Sequence, residues 1–420
     1  YGYSPMENLW NDNDAARYAN DAKTAGQPEA LGLRVYTSRI IGKVADLVLH
    51  GGGNTSVKVT DNDGNAIMHV KGSGWDLETI EAPGLPAVKL APLHAARTEK
   101  KLSDPEMVAL LRSNLLDPSA PNPSVEALLH AYLPFDFVDH THSTAVLALA
   151  NQDKSEDIMR EIYGDRLAFL PYVMPGYDLS IAGADLFDRF PTCEGLWLKN
   201  HGLFTFGTTA KQSYDRMIDF VTDAENYLTA KGIALPGPET SDRDLDPAIA
   251  DKLNTALRAD GSPFADAMAM DFRSTPSIRK YLSNDALETI AVRGTATPDH
   301  VIRIKPFPLI IAADASLQDI ASALEDYKAR YRAYFERNAP NASEEKVMLD
   351  PWPRMVLIKG LGLVGLGAND KAARIAGDLG EQTARIINAA EEVGTFQPIN
   401  EADLFDMEYW SLEQAKLQKK

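Results

Sequence analysis

With 420 residues, 45% apolar and 24% charged, the chain has the ordinary mix of a folded globular protein, and its length predicts two or three domains of roughly 150 residues. Its 60 acidic against 42 basic residues give a formal charge of −18, which argues against a nonspecific nucleic-acid binder or an anionic-membrane binder, since both need a positive field. The single cysteine, Cys193, excludes an internal disulfide framework and a Cys-rich zinc site. No stretch reaches the ~18 apolar residues of a membrane span, and the polar start lacks an export-signal pattern, so cytoplasmic residence is the expectation.

Short apolar runs alternate with amphipathic helices, which predicts an α/β or α+β chain. Residues 27–48 read as a helix with apolar positions at Leu31, Val35, Ile40, Val44, Leu47 and Val48. A glycine loop, HGGGNTSVKV, leads into a strand, and DNDGN (61–65) is a hairpin turn into a second one. Ser103 to Glu106 form a capping box with Pro inside the first turn, opening a helix to about Leu116. After the break at Pro121 to Pro123, Ser124 reads as the cap of the helix VEALLHAYL. FDFVDHTH (135–142) reads as a buried strand followed by a helix, and GLWLKNHGLFTFG (195–207) as two strands around a turn. A long helix closed by Gly232 comes next. Residues 233–248 hold three prolines and no apolar period, and mark the domain boundary, between units 1–235 and 249–420. The charged end, 412–420, reads as a helical tail.

A faint repeat crosses that boundary. LKNHGLFTFGTTAK (198–211) lies over IKGLGLVGLGANDK (358–371) at an offset of 160, with a long helix after each. The same offset places Asp139-His140 on Asp299-His300, which predicts equivalent strands and a duplicated domain. The second copy has lost chemistry: His142 becomes Ile302, His201 becomes Leu361 and Glu126 becomes Ala286.

The sharpest chemical cluster is His140-Thr141-His142. Residues i and i+2 of a strand share a face, so two imidazoles converge, and a catalytic zinc needs three protein ligands with one open position. His201, in a turn before Gly202, is the third candidate. An HxH pair alone also suits two hydrogen-bonded histidines. Glu126 by position reads first as a first-turn acid favoured by the helix dipole; facing a metal, it would be a general acid or base at carbon. The loop His50 to Ser56, the KGSG turn (71–74) and Ser124 are small-residue turns that together suit a phosphate nest, but they match neither a P-loop nor a dinucleotide fingerprint.

In order, GGGNTS, KGSG, PSVEALLHA, HTH, PYVMPG and KNHG resemble the class II aldolase/adducin family over about residues 30–232. The likeness to the aldolase portion of bifunctional rhamnulose-1-phosphate aldolase/alcohol dehydrogenases extends further, through DHVIRIKPFPL (299–309) and DLFDMEYWSLEQAKL (403–417). In those proteins a short-chain dehydrogenase domain follows, and none is expected within this sequence. The resemblance implies a three-layer α/β/α domain around a mostly antiparallel sheet; the internal repeat adds a degenerate second copy. It implies zinc ligands His140, His142 and His201, with Glu126 as catalytic acid/base. Gly53, Asn54, Ser73, Gly74 and Ser124 fall on the family's substrate- or phosphate-binding turns, while Val125 departs from a serine common in phosphate-binding members. Tyr172 falls on a tyrosine that in some aldolases reaches a neighbouring subunit's site.

The expected activity is therefore a Zn2+-dependent lyase, with one zinc per catalytic domain. It would cleave a ketose, such as rhamnulose 1-phosphate, into dihydroxyacetone phosphate and a hydroxyaldehyde. The implied partners are a small sugar or sugar-phosphate substrate and further copies of the chain, as a homo-oligomer with a tetramer favoured; nucleic acid and membrane are not expected. A pentulose-phosphate epimerase or a dehydratase of the same family, and a non-catalytic adducin-like interaction module, remain as alternatives.

Overall fold

The structure, a computed structural model, describes residues 6–412. Most of the predicted 412–420 tail, and the last residues of the 403–417 segment, lie outside the described residues. Among the described residues no helix is long and apolar enough to cross a membrane. The chain divides into two compact units: a first with the residues up to Ala150 and Lys154–Gly232, and a second from Ile233 onward that also claims Asn151–Asp153. Within the second unit the Asn151 amide donates to the Ala296 carbonyl at 3.0 Å and that of Gln152 to Ala390 at 2.8 Å. No composition shift announces that tripeptide.

The first unit is built on seven strands: β1 (Asn54–Thr60), β2 (Ala66–Val70), β3 (Ala87–Lys89), β4 (Phe137–Thr141), β5 (Leu167–Leu170), β6 (Gly195–Leu198) and β7 (Gly202–Gly207). Their order is β3-β2-β1-β4-β7-β6-β5, and every pair is antiparallel except β5–β6. Strand alternation decides what each face meets. On β4, Val138 packs with Phe204 and Phe206 of β7 against Leu129 and Leu133, from the helix Ala127–Tyr132 and its C-cap, and Leu179 and Leu186, from the helix Tyr177–Arg189. Asp139 and Thr141 point the other way, toward the helices Glu29–Gly42 and Ala210–Ala230, where Asp139 meets Arg34 and Ser213. The result is a mostly antiparallel sheet between two helical layers.

The Arg34–Asp139 ion pair is wholly buried. Arg34 also donates to the carbonyls of Ser56 at 3.1 Å and Val138 at 3.4 Å, while the Ser213 hydroxyl donates to Asp139 at 2.6 Å. One guanidinium thus clamps β1 to β4 from behind.

Several boundaries differ from the sequence reading. The helix expected to reach residue 48 ends at Gly42. A Cβ there would lie 2.2 Å from the Glu78 amide. The next residues leave the helix to serve β4's end: Leu47 and Asp46 carbonyls accept the amides of His142 and Thr144, each at 3.0 Å. The helix opened by the Ser103 capping box stops at Ser113. The next helix starts at Ala127 with Glu126, not Ser124, at its N-cap position, although the Ser124 hydroxyl accepts the Glu126 amide at 3.2 Å. Instead residues 124–127 close a turn through the bond from the Ala127 amide to the Ser124 carbonyl. Gly232 ends the long helix with φ 71°, as read.

The second unit has four strands, β8 (Ala269–Arg273), β9 (Leu309–Ile311), β10 (Met355–Ile358) and β11 (Gly362–Gly367), in the order β8-β11-β10-β9. Order and directions repeat β4-β7-β6-β5: one parallel pair, then an antiparallel hairpin, then an antiparallel neighbour. Helices Ala210–Ala230 and Asp370–Val393 follow the hairpins. The expected equivalence of His140 and His300 is wrong, however. His300 opens the short helix His300–Ile304, because Pro298 and the Thr297 hydroxyl, which accepts the His300 amide at 3.3 Å, set up a helical turn. The strand beside β11 comes instead from residues 269–273, upstream.

The 299–309 segment and the described part of the second, 403–412, converge in this unit. Lys305 places its ammonium 4.2 Å from the Tyr331 ring centroid and donates to the Asp350 carbonyl. The Tyr331 hydroxyl lies 2.9 Å from Glu408 and 2.6 Å from the Tyr409 hydroxyl. Burial raises the Glu408 pKa and lowers that of Lys305.

Breaking one side of a buried ion pair leaves a charge without compensation. Arg34→Met should therefore lower the unfolding free energy by about 3–5 kcal/mol, read by urea denaturation. Adding Asp139→Asn should recover part of that loss; a single variant as stable as the parent would show that the pair is dispensable.

Candidate metal centre

His140 is the last-but-one residue of β4 and pairs with Asn54 of β1, so both side chains point to the layer that holds Glu126. Its ring stacks on Phe204, with centroids 4.1 Å apart and planes at 15°. Its Nδ1 faces the Leu203 carbonyl at 3.0 Å, so Nδ1 carries the proton and Nε2 offers a lone pair. His142 sits one residue beyond the strand, where the bond from its amide to Leu47 fixes the chain. His201 follows Asn200, whose φ of 61° suits an asparagine in a left-handed turn, and precedes Gly202, with φ 158°. A Cβ on Gly202 would lie 2.3 Å from the Thr141 carbonyl, so the KNHG turn needs glycine to bring His201 against β4's end. Gly53 has the same role on the other side: its φ is 74°, and a Cβ would lie 2.6 Å from the His140 carbonyl.

The three imidazoles converge. His140 Nε2 lies 3.1 Å from His142 Nε2 and 3.2 Å from His201 Nε2, and all three side chains are at least 95% buried. Burial holds the His140 imidazole down to about 4, opposed in part by Glu126, so the ring is neutral at pH 7. Neutral imidazole nitrogens clustered at this spacing can turn their lone pairs to one shared cation. Nitrogens around a tetrahedral zinc, at about 2.0–2.1 Å from it, stand roughly 3.3 Å apart, and the set present fits a divalent metal of that kind.

Glu126 completes the cluster. Its carboxylate lies 3.2 Å from His201 Nε2 and 3.4 Å from His140 Nε2, and only 5% of the residue is exposed. Burial alone would raise its pKa; the histidines and a 2.8 Å hydrogen bond from the Asn54 amide outweigh this and hold the carboxyl well below the usual range.

Of the other predicted residues, Gly53 and Asn54 adjoin this cluster. Asn54 also reaches the Ser124 hydroxyl at 3.2 Å. The KGSG turn is stitched to the 122–124 segment: the Ser73 amide donates to Asn122 at 2.8 Å, and the Ser124 amide donates to Lys71 at 2.9 Å. The turns singled out as a nest are thus neighbours, but the amides of Ser73 and Ser124 are already spent on protein carbonyls. Ser73 and Gly74 are exposed, and Val125, next to Ser124, is half-buried. Tyr172 lies in the loop between β5 and the helix Tyr177–Arg189 and is half-buried.

Sequence reasoning missed three residues. Ser56 and Lys58 continue Asn54's face of β1. The Ser56 hydroxyl meets His130 Nδ1 at 2.6 Å, and the Lys58 ammonium donates to the carbonyls of His130, Leu133 and Phe135 at 2.6–2.7 Å. His130, one helical turn after Glu126, is fully buried and places Nε2 2.5 Å from the Asn54 carbonyl oxygen. Its signal was Glu126 and His130 four apart on a helix, a spacing that puts both on one face.

Residues 34–228 match the class II aldolase and adducin N-terminal domain, and residues 244–417 match the class II aldolase second domain. The chain belongs to the class II aldolase family. It is 30% identical over 418 residues, 94% of this chain, to the uncharacterized oxidoreductase YuxG of Bacillus subtilis. The chain spans about 60% of the length of that relative. Among solved structures, the N-terminal class II aldolase domain of a conserved Thermoplasma acidophilum protein is 41% identical, over 47% of this chain and 93% of that one, at a TM-score of 0.45. The L-fuculose 1-phosphate aldolase of Glaciozyma antarctica PI12 is 16% identical, over 60% of this chain and 87% of that one, at a TM-score of 0.34.

Two outcomes test the centre. Titration of the metal-stripped chain with Co2+ should show one tetrahedral site per chain by its visible absorption, lost in His140→Ala. Gly202→Ala should weaken or abolish that spectrum as well, since its added carbon displaces the end of β4; an unchanged spectrum would refute the close-approach argument.

Proposed function

We propose that the first unit is a metal-dependent aldehyde-lyase that cleaves a ketose, with a ketose 1-phosphate such as rhamnulose 1-phosphate as the leading substrate class. The observation that carries this reading is the buried Glu126 carboxylate, 3.2–3.4 Å from two nitrogens of the three-histidine cluster. His140, His142 and His201 would hold the cation, with zinc as its proposed identity, and the chemistry supplied there is Lewis-acid stabilisation of negative charge.

The residues of the chain account for the proton movements. Breaking the C3–C4 bond leaves its electron pair on the ketone half, while the C4 hydroxyl loses a proton and becomes the aldehyde. Glu126, once protonated, delivers a proton to C3; in the synthetic direction its carboxylate removes it. Tyr172 is proposed to exchange the proton of the aldehyde-side hydroxyl. Glu126 lies close enough to act as a metal ligand, so its release when substrate binds belongs to the proposal. Gly53, Asn54, Ser73, Gly74 and Ser124 are proposed to border the substrate's phosphate or terminal hydroxyl. A homotetramer, in which Tyr172 serves a neighbour's site, completes the reading; a solution mass of one or two chains would count against it. The second unit is proposed to be a degenerate copy without metal.

Glu126→Gln should keep metal content but lower turnover by roughly 10²–10⁴, the scale of a lost general acid or base. The assay is aldehyde release from ketose 1-phosphates and free 2-keto sugars with metal-loaded protein. Unchanged turnover would return Glu126 to a structural role, and epimer formation in place of net aldehyde release would replace the lyase with an epimerase.

A further inference from the structure

A side-chain amide has two ends of nearly the same shape, and only one can face a carboxylate. The Asn54 amide lies between Glu126 Oε2 at 2.8 Å and His130 Nε2 at 2.5 Å. An ionised carboxylate accepts and does not donate, so the end toward Glu126 must be the NH2 group. The carbonyl oxygen then faces His130, which must present N–H at Nε2. A neutral imidazole has one N–H, so Nδ1 is left bare, and it accepts the Ser56 hydroxyl proton at 2.6 Å. The donors run in one direction: Ser56 to His130, His130 to Asn54, Asn54 to Glu126.

The remaining neighbour does not choose between the ends. The Ser124 hydroxyl, 3.2 Å from the Asn54 nitrogen, can donate as well as accept. Beyond Glu126 itself, only His130 distinguishes the carbonyl end from the NH2 end. His130 is itself held on both sides, by Ser56 and by an edge-on contact with Phe204 at 5.5 Å. Lys58 fixes the helix beneath it through three carbonyls.

We infer that His130 is a positioning residue: it locks the Asn54 amide with its NH2 toward Glu126 and thereby holds the carboxylate turned to the histidine cluster. This rests on the acid–base role proposed for Glu126. His130 reaches Glu126 through Asn54. On this account Asn54, placed by resemblance among substrate-binding residues, spends its donor end on the protein.

Two measurements test it. The first needs no substrate: long-range ¹H–¹⁵N spectra of the full chain with labelled histidine report which nitrogen of His130 is protonated. The Nε2–H form at neutral pH is expected; the Nδ1–H form would place the Asn54 amide the other way round and overturn the inference. The second is a double-mutant cycle in the metal-loaded chain. His130→Phe keeps the packing against Phe204 but loses the donor, and should lower kcat by about 10–100-fold with KM and metal content little changed. His130→Gln, which restores an N–H donor, should recover part of the loss. In the Glu126→Gln background, His130→Phe should cost nothing further. Multiplying effects, or a His130→Phe variant with full kcat, would overturn the inference. A Glu126→Gln variant with full turnover would instead sink the acid–base reading, and the tautomer would still decide whether His130 orients Asn54. Should His130→Phe fail to fold, His130→Gln and the spectra carry the test.

Discussion

Behind the histidines, on the face of β4 they do not use, a guanidinium without access to water holds two strands together. Arg34 is bound to Asp139, to the carbonyls of Ser56 and Val138, and to the Thr37 hydroxyl. Such a pair loses much of its Coulomb attraction to desolvation, so its worth lies less in net stability than in what it forbids. β1 and β4 cannot slide by one residue without stranding a buried charge, and a slip of one would turn every side chain to the wrong face. The register Asn54 opposite His140 is therefore enforced from the far side of the sheet.

Much of the first unit was legible because its signals are local. The HTH spacing, the KNHG turn and the glycine loop each name a backbone geometry, and the structure brings those segments to one place. Other features depended on partners distant in sequence. The helix over 27–48 could not be seen to stop at Gly42, because the stop depends on the Glu78 backbone and on the amides of residues 142 and 144. Asn54, Ser56 and Lys58 alternate with Thr55 and Val57, which reads as a strand with one wet face. That face is in fact turned to a short helix whose own polar groups answer it. His130 lay hidden for the same reason: among Ala, Leu and Tyr it looks like a core residue, and its meaning appears only beside β1.

The second unit shows how a repeat can mislead. The hairpin offset of 160 holds, and the four-strand pattern recurs, but the offset does not extend to His300. A proline and a threonine upstream convert the segment to a helix, and an earlier stretch fills the strand position. The unit has no counterpart to the histidine cluster at these positions. In its interior the Lys305 ammonium, the Glu408 carboxylate and the hydroxyls of Tyr331 and Tyr409 are gathered among aromatic rings. Such a set is costly to bury unless each member is partnered.

The helix that carries Glu126 at its start has six residues, too few to persist in water on its own. Its closing carbonyls are held by Lys58, and its acid is oriented by Asn54, 72 residues earlier in the chain. Closing a loop of that length costs chain entropy before any contact repays it. Folding order follows: hairpins β1–β2 and β6–β7 can form early from near neighbours, whereas Glu126 reaches its place only when two distant segments have docked. The acid is thus among the last groups to arrive, and partly folded chains can hold two ordered hairpins while having no assembled site.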